Sequence, residues 1–241
     1  MSLATSDPKR KEPKTTSSTD GPPSTDSRPA NRIGATELRR RFWHMAPGFL
    51  PLLLWPIPHA DPISPTLRAI IIALVLGLGA SIFVNFRRIA RADDRDDNRL
   101  QAVTGYAGSV LVVLMLFPAY AELGLTVLAV LAFGDGSATL GGIVLGGPRI
   151  PWNSQKTWSG SLCFVLVGGL MAATIYWGET HNLEAQRQGV TFATALLCGG
   201  SAAVAGAIAE SLPTRINDNI RVGAAAAVTV ILTHGIVVGW S

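Results

Sequence analysis

The chain has 241 residues, 48% of them apolar and 15% charged, with 20 Lys and Arg against 16 Asp and Glu for a formal net charge of +4. The apolar residues come in long runs rather than in alternation, which excludes an ordinary soluble domain and points to a polytopic membrane protein. Most of the excess positive charge sits in an N-terminal tail and one loop, so membrane topology accounts for it and no nucleic-acid partner is implied.

Residues 1–31 are rich in Pro, Ser, Thr, Lys and Asp and have almost nothing to bury, so a disordered tail is expected there. No apolar run follows Lys9, Arg10, Lys11 and Lys14, which argues against a secretory signal peptide. A single transmembrane domain is expected over residues 32–241. It opens with Arg39, Arg40 and Arg41 running straight into an apolar segment that carries His44 and Gly48. Pro47, Pro51 and Pro56 predict that this first span is kinked. A second, uniformly apolar span is expected over residues 67–86. Next comes a mixed-charge stretch in which Arg87, Arg88, Arg91, Arg95 and Arg99 interleave with Asp93, Asp94, Asp96 and Asp97, the pattern of a solvated loop or an ion-paired helix.

A third span over residues 101–120 leads through a turn at Glu122 into a fourth, and this fourth span carries Asp135 in an otherwise apolar, glycine-rich run. A carboxylate in hydrocarbon costs roughly 2.5–3.5 kcal/mol on insertion scales and is kept where it meets a cation, water or a partner charge. Gly134, Ala138, Gly142 and Gly146 recur every four residues, the spacing that lets membrane helices pack closely. Glycine would equally let a phosphate approach the main chain. The run ends in a polar loop with Arg149, Lys156, Thr157, Ser159 and Ser161; Gln155 in place of Gly before Lys156 excludes a Walker A loop. A fifth span over residues 161–177, a sixth over 190–209 and a seventh over 222–238 complete an all-α expectation of about seven transmembrane helices. Glu210, Asp218, Asn219 and Arg221 lie between the last two, and His234 reads as a packed histidine. Cys163 and Cys198 match no metal spacing and read as small core residues.

With the basic tail inside, all but Arg68 and Arg187 of the 20 Lys and Arg fall in cytosolic segments, as the positive-inside rule asks. His44, the Arg/Asp stretch, the Lys156 loop and the Glu210–Asn219 loop would then open toward one face. If the fourth span is one unbroken helix, Asp135 lies mid-membrane; if Gly134 and Gly136 break it, Asp135 lines a cavity reached from inside.

Three elements carry a resemblance. Gly134-Asp135, Ala138 and Gly142, followed by Lys156-Thr157 and Gly160-Ser161, resemble the GD-x-x-A-x-x-x-G and K-[ST]-x-x-G-[ST] signature of the CTP-dependent polyprenol kinases, the dolichol and phytol kinase family. Arg40-Arg41, His44 and Gly48 resemble the same family's R-[RK]-x-x-H-x-x-x-G element, and Glu210, Pro213 and Asp218-Asn219 its closing acidic, Pro and D-N element. The lysine region is also similar to that of phosphatidate cytidylyltransferases, although Ser159 stands where both families usually carry Glu. The kinase resemblance implies CTP and a lipid alcohol as substrates and Mg²⁺ as the cofactor, in the cytoplasmic membrane if the source is bacterial. Asp135, Lys156 and His44 would be catalytic, and Asp135, Glu210, Asp218 and Asn219 would hold the metal. Arg41, Gly134, Gly136, Gly142, Arg149, Thr157, Ser161 and Arg221 would face the nucleotide. His44 and Asp135 both remain open as the general base. Two other readings compete: a cytidylyltransferase, and a transporter whose Asp135 lines an ion path.

Overall fold

The computed structural model describes residues 35–55, 96–183 and 185–240, with a few helical positions between 66 and 80. The tail over residues 1–31, most of the second span and the Arg/Asp stretch up to residue 95 lie outside the described residues.

The first expected span is not a helix of membrane length. Helix α1 (Ala35–Met45) carries the arginines and His44, gives way to a 3₁₀ turn over Ala46–Phe49, and resumes as the short α2 (Leu50–Leu54). Pro47 and Pro51 explain the change, because each lacks the amide donor that a continuous helix requires. Helix α3 (Asp96–Leu116) starts earlier than expected, inside the mixed-charge stretch, and its apolar part, Val103–Leu116, is shorter than a full span.

The fourth span is continuous. Helix α4 (Ala121–Ala129) passes through a π-helical turn, Val130–Gly134, into α5 (Asp135–Val144), giving 24 residues from Ala121 to Val144. Gly134 and Gly136 therefore do not break the helix, and Asp135 sits within the span, on the turn where the helical pitch changes. Gly146 and Gly147 then take φ values of 61° and 105° that other residues rarely adopt, and Pro148 follows. The polar loop forms an antiparallel hairpin of β1 (Arg149–Ile150) and β2 (Asn153–Thr157), with Arg149 opposite Thr157 and Ile150 opposite Asn153. This corrects the all-α expectation: the fold is mostly helical with one small sheet.

Helix α6 (Trp158–Cys163), a second π turn over Phe164–Gly168 and α7 (Gly169–Glu179) make the next span of 22 residues. Helices α8 (Phe192–Ser211) and α9 (Asp218–Val237) follow, each 20 residues long. Four helical segments among the described residues are thus long and apolar enough to cross a membrane, with α3 as a shorter apolar fifth. The packing follows membrane rules. Helix α8 buries Ala195, Cys198, Gly199, Ala202, Ala203 and Gly206 against its neighbours and leaves Leu197, Val204 and Ile208 facing outward. The two π turns meet where a Cβ on Gly168 would lie 2.8 Å from Gly134 Cα and one on Gly134 would lie 2.6 Å from the Phe164 ring. That contact fixes the position of Asp135. His234 is fully buried, as a packed histidine should be, with its Nδ1 2.6 Å from the Tyr176 hydroxyl.

Candidate active site

Asp135 meets two side chains of α1. Arg41 Nη1 donates to Asp135 Oδ2 at 3.1 Å, and His44 Nε2 lies 3.1 Å from the same oxygen. Arg41 and His44 are three residues apart, so both project from one face of α1. His44 Nε2 is also 3.3 Å from the Leu131 carbonyl in the π turn. Both neighbours of Nε2 are hydrogen-bond acceptors, so Nε2 carries a proton. Tyr106 of α3 packs edge-on against the imidazole with centroids 5.3 Å apart.

A second charged centre is built on the hairpin. Lys156 Nζ lies 2.5 Å from Glu210 Oε1 near the end of α8 and 3.6 Å from Asp218 Oδ2 at the start of α9. Glu210 is nearly buried, its side chain 4% exposed, whereas Asp218 is 47% exposed. What puts Lys156 there is the anchoring of the hairpin to α8. Trp152 Nε1 donates to Ser211 Oγ at 3.3 Å and Asn153 Nδ2 to the Ser211 carbonyl at 3.1 Å. Burial by itself would push the Lys156 ammonium below its ordinary pKa, but the carboxylates of Glu210, Asp135 and Asp218 outweigh it and hold the pKa above that value. Lys156 is therefore a permanent cation at neutral pH. Asp135 of the first group is thus among the carboxylates whose charge is felt at Lys156.

Arg221 braces the corner between α8 and α9. Its guanidinium pairs with Asp218 and donates to the carbonyls of Ala209 at 2.6 Å and Leu212 at 2.7 Å at the end of α8, and of Ile216 at 3.1 Å in the connecting segment, tying the corner together. Asn217 accepts from the Asn219 amide and caps α9. In front of this corner is an open cleft of about 590 Å³, lined by Gln155, Lys156, Thr214, Arg215, Asp218 and Arg221 among others.

The structure brings together Arg41, His44 and Asp135 in one group and Lys156, Glu210, Asp218 and Arg221 in another. Other expected residues have local partners instead. Arg149 donates to the Ser154 carbonyl within the hairpin and does not line the cleft. Thr157 caps α6 by accepting from the Gly160 amide at 3.1 Å. Ser159 donates to the Gly146 carbonyl, so the departure from Glu at this position closes the base of the hairpin. A Cβ on Gly134, Gly136 or Gly142 would meet Phe164 at 2.6 Å, Met45 at 2.4 Å or the Thr157 hydroxyl at 3.0 Å, which gives all three glycines a packing reason. Ser161 is half-buried in α6, and Asn219 sits beside Asp218 in the first turn of α9. Sequence reasoning did not single out Tyr106, Gln155, Thr214 or Arg215 as site residues. For Arg215 the signal was its place two residues after Pro213, inside the closing element.

The metal set expected from the sequence is only partly assembled. Among the described residues no three His, Cys, Asp or Glu side chains meet as a metal-holding group. Asp135 instead faces Arg41 and His44. Glu210 and Asp218 do converge, on Lys156, and two carboxylate oxygens suit Mg²⁺ when phosphates and water complete its shell.

Comparison with known proteins bears on what such a site is for. The chain is 25% identical over 212 residues to phytol kinase 1, chloroplastic, of Arabidopsis thaliana, covering 82% of this chain and 67% of that protein. It is 28% identical over 196 residues to probable phytol kinase 2 of Oryza sativa subsp. japonica, covering 77% and 62%, and 24% identical over 227 residues to a probable phytol kinase of Triticum aestivum, covering 87% and 72%. This chain is a distant homologue of the plant phytol kinases, a polyprenol kinase family. It spans about two thirds of the length of these curated relatives. No protein-family model matches the chain, and no solved structure matches it.

Proposed function

We propose that this phytol kinase homologue is an integral-membrane kinase that transfers the γ-phosphate of CTP to the hydroxyl of an isoprenoid or similar lipid alcohol, at a site facing the cytosol. The observation that carries the reading is that separate stretches of the chain assemble two charged groups, Arg41 and His44 on Asp135 and Lys156 on Glu210 and Asp218, with the Asp135 charge felt at Lys156. Phosphoryl transfer asks a protein chiefly to position two substrates and to offset negative charge, and this site has the parts for both.

In this reading the polyphosphate lies in the cleft with Lys156 against the transferred group. The lipid alcohol presents its hydroxyl from the membrane side, next to His44. His44 is the general base: Asp135 and the Leu131 carbonyl hold Nε2–H, and Nδ1 takes the hydroxyl proton as the alcohol oxygen bonds to the γ-phosphorus. The bond from that phosphorus to the β–γ bridging oxygen breaks, and CDP leaves with the electron pair. Arg41 pairs with Asp135 and holds it in place. Mg²⁺, when bound, would neutralise and orient the phosphates, and Glu210 and Asp218 would hold it.

The test uses purified protein in lipid nanodiscs, lipid alcohols of several chain lengths, and CTP labelled separately at the α and γ positions. Label from the γ position should reach the alcohol. Label arriving only from the α position, in phosphatidic acid, would overturn the kinase reading in favour of a cytidylyltransferase.

A further inference from the structure

The cleft holds three cations, and they are not equally available to a ligand. Lys156 is engaged by Glu210 and Asp218. Arg221 is committed to Asp218, to the Ala209 and Leu212 carbonyls at the end of α8 and to the Ile216 carbonyl in the connecting segment. Arg215 is different: it is exposed, it lies in the segment between α8 and α9, and among the described residues it has no ion-pair or hydrogen-bond partner. Its guanidinium has five donors in a planar fork suited to phosphate oxygens. The charges of Lys156, Arg215 and Arg221 against Glu210 and Asp218 leave one net positive charge, and it is Arg215 that supplies it in uncompensated form.

Resting on the kinase reading above, we propose that Arg215 is the residue that captures the polyphosphate of the incoming nucleotide. Lys156 acts at the transferred phosphoryl group, so the two cations divide binding from chemistry. Arg215 reaches the phosphates that do not react, so its contact is equal in the ground state and the transition state. Uniform binding of that kind lowers KM and leaves kcat nearly unchanged. Because Arg215 is exposed on a connecting segment, substituting it leaves the packed helices intact.

The experiment compares wild-type protein with Arg215→Gln, Arg215→Lys and, as a charge control at another exposed position, Arg187→Gln. CTP affinity is measured by equilibrium dialysis of labelled CTP without lipid alcohol, and KM and kcat by γ-phosphate transfer. Arg215→Gln should weaken CTP binding and raise its KM about tenfold, the loss of one charge-assisted phosphate contact, with kcat within about twofold. Arg215→Lys should recover part of the affinity, and Arg187→Gln should match wild type. The salt dependence of binding should flatten in Arg215→Gln, a change that a merely structural role would not produce. Unchanged affinity in Arg215→Gln, with wild-type protein that binds CTP and transfers its γ-phosphate, overturns this inference alone. Wild-type protein that binds no nucleotide triphosphate overturns the kinase reading and this inference with it.

Discussion

Replacing Lys156 with Met separates stability from chemistry at the centre of the site. The variant keeps an unbranched apolar stem and removes the ammonium 2.5 Å from Glu210. Glu210 is then left as a nearly buried carboxyl with its partner gone. Breaking a fully buried pair costs about 3–5 kcal/mol. Lys156 is 27% exposed and Glu210 can take up a proton, so the loss here should be about 2–3 kcal/mol. In detergent this would read as a melting temperature lower by about 5–10 °C. The catalytic loss is separate: removing one electrostatic contact to a developing charge typically costs about 10²–10³ in kcat. Adding Glu210→Gln removes the orphaned charge, so the double variant should regain most of the thermal stability and none of the rate. The assay is γ-phosphate transfer from CTP on protein shown to be monodisperse. A well-folded Lys156→Met protein at near wild-type rate, or a double variant that regains activity, would refute the argument, because Lys156 would then serve only to neutralise Glu210.

If His44 is the base, His44→Gln should remove most of the rate while leaving the protein folded and CTP bound; a well-folded variant at near wild-type rate would rule the assignment out. Lys156 should add no alkaline limb in the neutral range. Its folded pKa lies above the ordinary 10.5, so the stability contributed by its charge is fully present below that value and is lost only as pH rises through the higher folded value. Gly168→Ala should prevent correct folding or cost about 1–3 kcal/mol, because the new methyl meets the Gly134 backbone, which cannot give way. Gly136→Ala should fold, because its nearest neighbour is the flexible Met45 side chain; equal stability of the two variants would count against the close crossing of the π turns. Single cysteines at Gln155 and Thr214, both lining the cleft, should be labelled from the cytosolic side only, and labelling of either from outside sealed cells would overturn the proposed orientation.

The sequence by itself determined the class of molecule and singled out the charged residues that the structure gathers into two groups. Long apolar runs need a bilayer, and a charge such as Asp135 inside one of them has to be matched by a partner; both follow from composition and spacing alone. Close packing was legible too, in the four-residue spacing of Gly134, Ala138 and Gly142. Three things were decided only by the tertiary structure. The two-stranded hairpin depends on backbone conformations at Gly146 and Gly147 and on the contacts of Trp152 and Asn153 with Ser211, 58 or more residues away, which no local pattern encodes. The continuity of the fourth span was undecidable because glycine tolerates a break and a π turn equally, and it is the crossing with the second π turn at Gly168 that selects the latter. The partners of the charges were the third. The sequence offers Asp135, Glu210 and Asp218 as equivalent carboxylates, and only the placement of α1 beside α5 gives Asp135 to Arg41 and His44 while the hairpin carries Lys156 to the other two. Coulomb energy falls with distance, and the distances between residues remote in the chain are set by packing.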